Sequence, residues 1–161
     1  MWGAVVARWA KGEERVTELL ETRHLQRVAA DSETVASLIT SARRHLGSAR
    51  MTVESDPEAA YTLAYDGARK SATALLAHQG LRPTTAGGHL AVVDVMRAQF
   101  PGVPGLMSLD RLRRRRNQAE YPDPGGYDPI TVEEADEAIQ VAITCVASAG
   151  RLLELDELGV F

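Results

Sequence analysis

Apolar side chains recur along this chain three and four positions apart, while strict apolar–polar alternation is nearly absent. That period belongs to helices with one face in a core, so the chain is expected to be all-α. The first such segment runs from about Gly12 to Leu25 and carries Val16, Leu19 and Leu20. A second opens on Asp31 or Ser32, either of which can cap free backbone N–H groups, and continues through Val35, Leu38, Ile39, Ala42, Leu46 and Ala49. Gly47 falls inside it and costs up to ~1 kcal/mol of helix propensity relative to alanine. Asp56-Pro57 predicts a third start, a capping carboxylate followed by proline at the first helical position. From there Ala60, Tyr61, Ala64, Tyr65, Ala68, Ala72, Leu75 and Leu76 form an alanine-rich stripe, and Gly80 is a natural stop. Arg82 to Gly88 reads as a loop, Leu90 to Met96 as a short helix, and Pro101-Gly102-Val103-Pro104-Gly105 as a breaker. An arginine-rich helix is expected from about Leu106 to Tyr121, closed by Pro122-Asp123-Pro124-Gly125-Gly126. Thr131-Val132-Glu133-Glu134 is a capping box, and it opens a last helix with Ala135, Ile139, Ala142, Val146, Ala149 and Leu153 on one stripe.

Four main helices with short connections predict an up-and-down bundle, with an accessory helical segment over residues 1–30 and the bundle over residues 31–161. A length of 161 residues is enough for one domain with a real core. With 45% apolar and 25% charged residues the composition is that of a globular chain. The formal net charge of −4 excludes global attraction to nucleic acid, so any such binding needs a local basic patch. Cys145 is the single cysteine, so no internal disulfide forms. No apolar run approaches the roughly eighteen residues of a membrane span, and the apolar opening Met1-Trp2-Gly3-Ala4-Val5-Val6 lacks the basic leader of a signal peptide. The expectation is a cytoplasmic protein without a membrane partner.

The local basic patch is the arginine helix, where five of the six residues from Arg111 to Arg116 are arginine. Leu109, Leu112 and Ala119 mark its inner side. At 3.6 residues per turn, Arg116 falls within about 20° of Leu109 and Arg113 about 40° to the other side. Arg111, Arg114 and Arg115 are expected to point into water. A guanidinium directed at a core needs a partner or a cavity. Glu120, one turn on, is placed to pair with Arg116, and Asn117 and Tyr121 form a neighbouring i, i+4 pair. Two uses fit: a brace between helices, or a polar notch in which Arg113 and Arg116 offer forked donors to phosphate or base edges.

At these residues the chain resembles the HEPN superfamily (higher eukaryotes and prokaryotes nucleotide-binding). Many members end a core helix with Arg, then Asn, Asp or His, three further residues, and His. Arg116-Asn117 matches the start of that pattern, Tyr121 stands where the histidine falls, and the Arg116–Tyr121 ending is similar to a subgroup lacking the histidine. Three other features agree in order and spacing: Ala64 to Lys70, Gly80-Leu81-Arg82 with Gly87-Gly88-His89, and Thr131 to Ala135 before a long helix. The resemblance covers roughly residues 33–155. It implies a HEPN-like four-helix bundle that pairs into a homodimer, and an RNA or nucleotide ligand. It also implies metal-independent ribonuclease activity, found in many members, and an antitoxin-like protein partner, found for several. Tyrosine ionises at about pH 10, which makes Tyr121 a poor general base, so Arg116 and Tyr121 are weak catalytic candidates and binding carries over better.

Of the remaining candidates, Asp66 pairs by spacing with Arg69 or Lys70 and joins the notch if its helix faces the arginine helix. His89 follows Gly87-Gly88 at a helix start, where free N–H groups favour an anion. His24, His45 and His78 have no metal-ligand spacing, so neither metal nor cofactor is expected. Cys145 lies between apolar positions and is expected in the core. The reading is RNA or nucleotide binding through Arg113, Arg116, Asn117, Glu120, Tyr121, Asp66, Arg69 and His89. A non-catalytic interaction or dimerisation module and a ribonuclease toxin are the alternatives.

Overall fold

The computed structural model describes residues 9–161, so the apolar opening Met1–Val6 lies outside the described residues. The fold is all-α, and the described residues form six helices: α1 (Glu13–Glu21), α2 (Ser32–Thr52), α3 (Pro57–His78), α4 (Gly88–Gln99), α5 (Leu109–Glu120) and α6 (Val132–Leu153). Leu106–Ser108 forms a single 3-10 turn that leads into α5. The starts obey local chemistry. The Asp31 carboxylate accepts from the Glu33 and Thr34 amides, Asp56 accepts from Ala59 N–H ahead of α3, and Thr131 and Glu134 complete the capping box of α6. No helix among the described residues is long and apolar enough to cross a membrane.

α3 is the central helix, packed against α2, α6, α5 and α4. Ala60, Ala64, Ala68 and Ala72 are fully buried along it, opposite Ala42, Leu46 and Ala49 of α2 and the small residues of α6. A Cβ on Gly67 would stand 3.2 Å from the Ala42 carbonyl oxygen, so the α2–α3 contact has no room for one without a shift. Gly105 has a φ of +83°, and a Cβ there would meet the Cys145 amide at 2.7 Å. This glycine lets the breaker lie directly on α6 and sets where α5 begins. Cys145 is buried there, and burial pushes its thiol up to about 12.

The chain departs from the expected helix after Glu21. α1 ends at Glu21, and Leu25–Arg27 (β1) pairs antiparallel with Leu81–Pro83 (β2), in the register Leu25 to Pro83 and Arg27 to Leu81. Three residues are too few to show alternation, and Leu25 continued the helical period of α1. The described part of the N-terminal segment shares the common core: Val16, Leu19, Leu25 and Leu81 are all buried in it, and Arg15 pairs with Asp94 of α4. At the same end, the buried Gln79 and Gln99 side-chain amides exchange two hydrogen bonds of 2.9 and 2.8 Å. The C-terminal residues close over this end, with the Phe161 amide donating to the Gln79 carbonyl at 2.9 Å.

Candidate functional site: an arginine-lined cleft

Tyr65 and Arg69 lie one turn apart on α3, on the side that faces α5 and the start of α4. Tyr65 is 1% exposed, and burial pushes its hydroxyl up to about 12, so it keeps its proton at neutral pH. Its one hydrogen bond, 2.6 Å long, is to Nδ1 of His89, the second residue of α4. The tyrosine proton has no other acceptor among the described residues, so the hydroxyl donates and Nδ1 accepts. This fixes the neutral imidazole with its proton on Nε2. Burial holds His89 below the usual histidine range. The positive charges of Arg69, Arg116 and Arg113 add to this and outweigh Asp66.

α5 lies across the other side of Tyr65. The Arg116 guanidinium sits 5.8 Å from the centre of the Tyr65 ring, within cation–π range. It pairs with Glu120 at 3.2 Å and donates to the Asn117 side-chain oxygen at 3.3 Å. On α3, Arg69 pairs with Asp66 at 3.5 Å. In both arginines the Nε atom is buried with no hydrogen-bond partner. Arg69, Thr85, Gly88 and His89 line a cavity of about 400 Å³ beside this cluster, walled by Pro83 and Val92. The structure thus brings together Asp66, Arg69, His89, Arg113, Arg116, Asn117 and Glu120, seven of the eight positions expected from the sequence.

Tyr121 is the exception and corrects the expected grouping. Its residue is 77% exposed, and it shares a separate surface cleft with Asn117, Gln118, Asp123 and Gly126. α5 ends at Glu120, and the extended backbone that follows carries the Tyr121 ring away from Arg116. Arg115 is a second correction. It was expected in water, yet its side chain is only 15% exposed and forms a forked pair with Glu134 at 2.8 and 3.0 Å. The start of α6 covers that side of α5, so the helix has two buried flanks rather than one. That hydrogen bond, with Arg115's charge, holds the Glu134 carboxyl below its usual range despite burial.

Arg113, expected at the margin, is more buried than Arg116, with side chains 16% and 25% exposed, and its fork is already engaged. Nε and Nη2 donate to Asp110 Oδ1 at 3.0 and 2.9 Å. Asp110 is 5% exposed and also meets Arg97 and Arg114 at 3.1 and 2.9 Å. Burial pushes its carboxyl up, but the three guanidiniums outweigh burial and hold it below the usual carboxylate range. The i, i+3 and i, i+4 spacing from Asp110 to Arg113 and Arg114 was the available signal for this cluster. His45 of α2 was also passed over: its Nδ1 is buried without a partner, and burial and Lys70 lower its pKa against the pull of Asp66. Among the described residues no three His, Cys, Asp or Glu side chains gather as a metal site. Comparison of the chain with protein-family models, curated proteins and solved structures returned no match.

Proposed function

We propose that the chain is a HEPN-like helical module that binds RNA or a nucleotide in the cleft between α3, α5 and the start of α4. The supporting observation is the pair of arginines, Arg69 and Arg116, beside the hydrogen bond that joins buried Tyr65 to exposed His89, each arginine with an unused buried Nε. Guanidinium forks pre-set by Asp66 and Glu120 are suited to phosphate oxygens, and the exposed His89 ring supplies flat surface beside them. The ligand side of Arg113 is weaker than its sequence position implies, because Asp110 holds its fork. Arg69 and Arg116 therefore carry the binding.

The test is a fluorescence-anisotropy titration of single-stranded RNA with the native chain and with Arg69→Ala/Arg116→Ala. Tight native binding lost in the double variant is the expected result, and a native chain that binds no RNA or mononucleotide contradicts the proposal. The second reading, a non-catalytic brace or dimerisation module, draws on the finding that each cleft arginine has a carboxylate on its own helix. In that reading the double variant loses stability or its dimer, and native RNA binding is absent. A ribonuclease using Arg116 with Tyr121 has no geometric support, since the Tyr121 ring faces solvent outside the cluster.

A further inference from the structure

The cavity at the α4 end of the cleft differs chemically from the rest of it. Elsewhere the arginine forks lie along a surface, but here Arg69, the Thr85 hydroxyl and the His89 imidazole border one space of about 400 Å³. The Thr84 hydroxyl is turned away, donating to the Arg23 carbonyl at 2.7 Å. The Thr85 hydroxyl makes no bond among the described residues. The rear of the imidazole is closed by Tyr65, so its Nε2 side is the one free to meet a ligand.

We propose that this cavity is a subsite for a phosphomonoester, whose second negative charge is met by a proton taken up on His89. The inference rests on the cleft being a phosphate-binding site, and it names the kind of phosphate. Empty, the imidazole is kept neutral by burial and by three guanidiniums, from α3 (Arg69) and α5 (Arg113 and Arg116), against the single opposing carboxylate of Asp66. Other groups near α4 are already engaged. Arg15 and Glu18 of α1 form an ion-pair chain with Asp94, Arg97 reaches Asp110, Glu120 holds Arg116, and His24 packs against Gly87. A dianion in the cavity reverses the balance, because it attracts Arg69 and makes a cationic His89 favourable. Once Nδ1 takes the proton it donates to the Tyr65 oxygen, and the tyrosine proton loses the acceptor it has among the described residues, a cost that the attraction of the dianion must exceed. By linkage, a proton that binds better in the presence of phosphate strengthens phosphate binding by the same factor. A phosphomonoester keeps its second charge down to about pH 6, whereas an internal phosphodiester carries one charge only. The site therefore prefers the phosphorylated end of a chain, or a mononucleotide, over the middle of a strand.

The experiment compares two short oligoribonucleotides of one sequence, one end-phosphorylated and one hydroxyl-ended, by anisotropy between about pH 6 and pH 8. In parallel, the His89 imidazole is titrated by NMR in the native chain with and without saturating inorganic phosphate. The end-phosphorylated chain should bind about tenfold tighter. That advantage should grow as pH falls and disappear in His89→Gln, and phosphate should raise the pKa of His89. Measurable and equal binding of both oligonucleotides at every pH, or a His89 titration unmoved by phosphate, overturns the inference. Salt-dependent binding of the hydroxyl-ended chain would then still leave the cleft as an RNA site. Conversely, if neither oligonucleotide binds while phosphate shifts His89, RNA binding fails and the phosphate subsite stands. The native-chain titration decides the matter even if His89→Gln does not fold.

Discussion

Three guanidinium groups converge on the Asp110 carboxylate, and only one of them, Arg113, is itself mostly buried. Asp110→Asn should therefore cost about 2 kcal/mol in a denaturant titration, since it removes charge-assisted bonds and leaves the mostly buried Arg113 without its counter-ion. Arg116→Ala should cost under about 1 kcal/mol, because Arg116 and Glu120 are 25% and 30% exposed and water screens the pair. A large loss there, with no effect on ligand binding, would identify the pair as a brace. Acid should weaken the fold in two stages. His45 and His89 both have lowered pKa values in the folded state, so the unfolded chain binds more protons. Stability then declines as pH falls below the ordinary histidine value of about 6.5. Asp110 and Glu134 are lowered carboxyls, whose contribution is intact above about pH 4 and lost as pH falls through their folded values. Thermal melts across that range, native against His89→Gln, should show the first stage shrink in the variant. Unchanged melts through the histidine range would contradict the neutral Tyr65–His89 pair.

The helices follow from short-range chemistry that the sequence displays, and so they were largely legible in it. Asp56 with Pro57, and Thr131 with Glu134, each terminate a helix by satisfying specific N–H groups, wherever the rest of the chain lies. Thr131→Ala should cost about 1 kcal/mol through loss of that cap. The helix connections were less legible. β1 and β2 pair residues more than fifty positions apart, anchored by buried Leu25 on one strand and buried Leu81 on the other, with no local marker. The breaker before α5 is legible as a stop, but its effect on position is not. Gly105 brings backbone to within a Cβ's reach of Cys145, and Gly105→Ala should destabilise the fold by about 2 kcal/mol through left-handed backbone strain and that collision. A melting temperature unchanged in Gly105→Ala would mean that the breaker moves off α6 at no cost.

On the scale of the whole molecule, α3 is both the centre of the core and one wall of the cleft, so the alanine stripe that packs α2 and α6 also fixes Tyr65 and Arg69. The phase of α5 put Arg116 and Arg113 on its inner side but reversed their order, since Arg113 is the more buried. It could not place Arg115, which needed the position of α6, or Tyr121, which lies beyond the last helical residue. Nor could it join Tyr65 to His89, because that bond depends on how α4 docks against α3. On an acidic chain, Arg69 and Arg116 gathered around a neutral histidine are proposed as a local concentration of positive charge, each offset in part by its own carboxylate. That concentration is the central claim, and the salt dependence of RNA affinity tests it most directly. For the native chain, log affinity should fall linearly with log salt, and Arg69→Ala/Arg116→Ala should flatten the slope by about 0.7 per phosphate contact removed. Native binding that does not change with salt, or a slope identical in the two proteins, would contradict it.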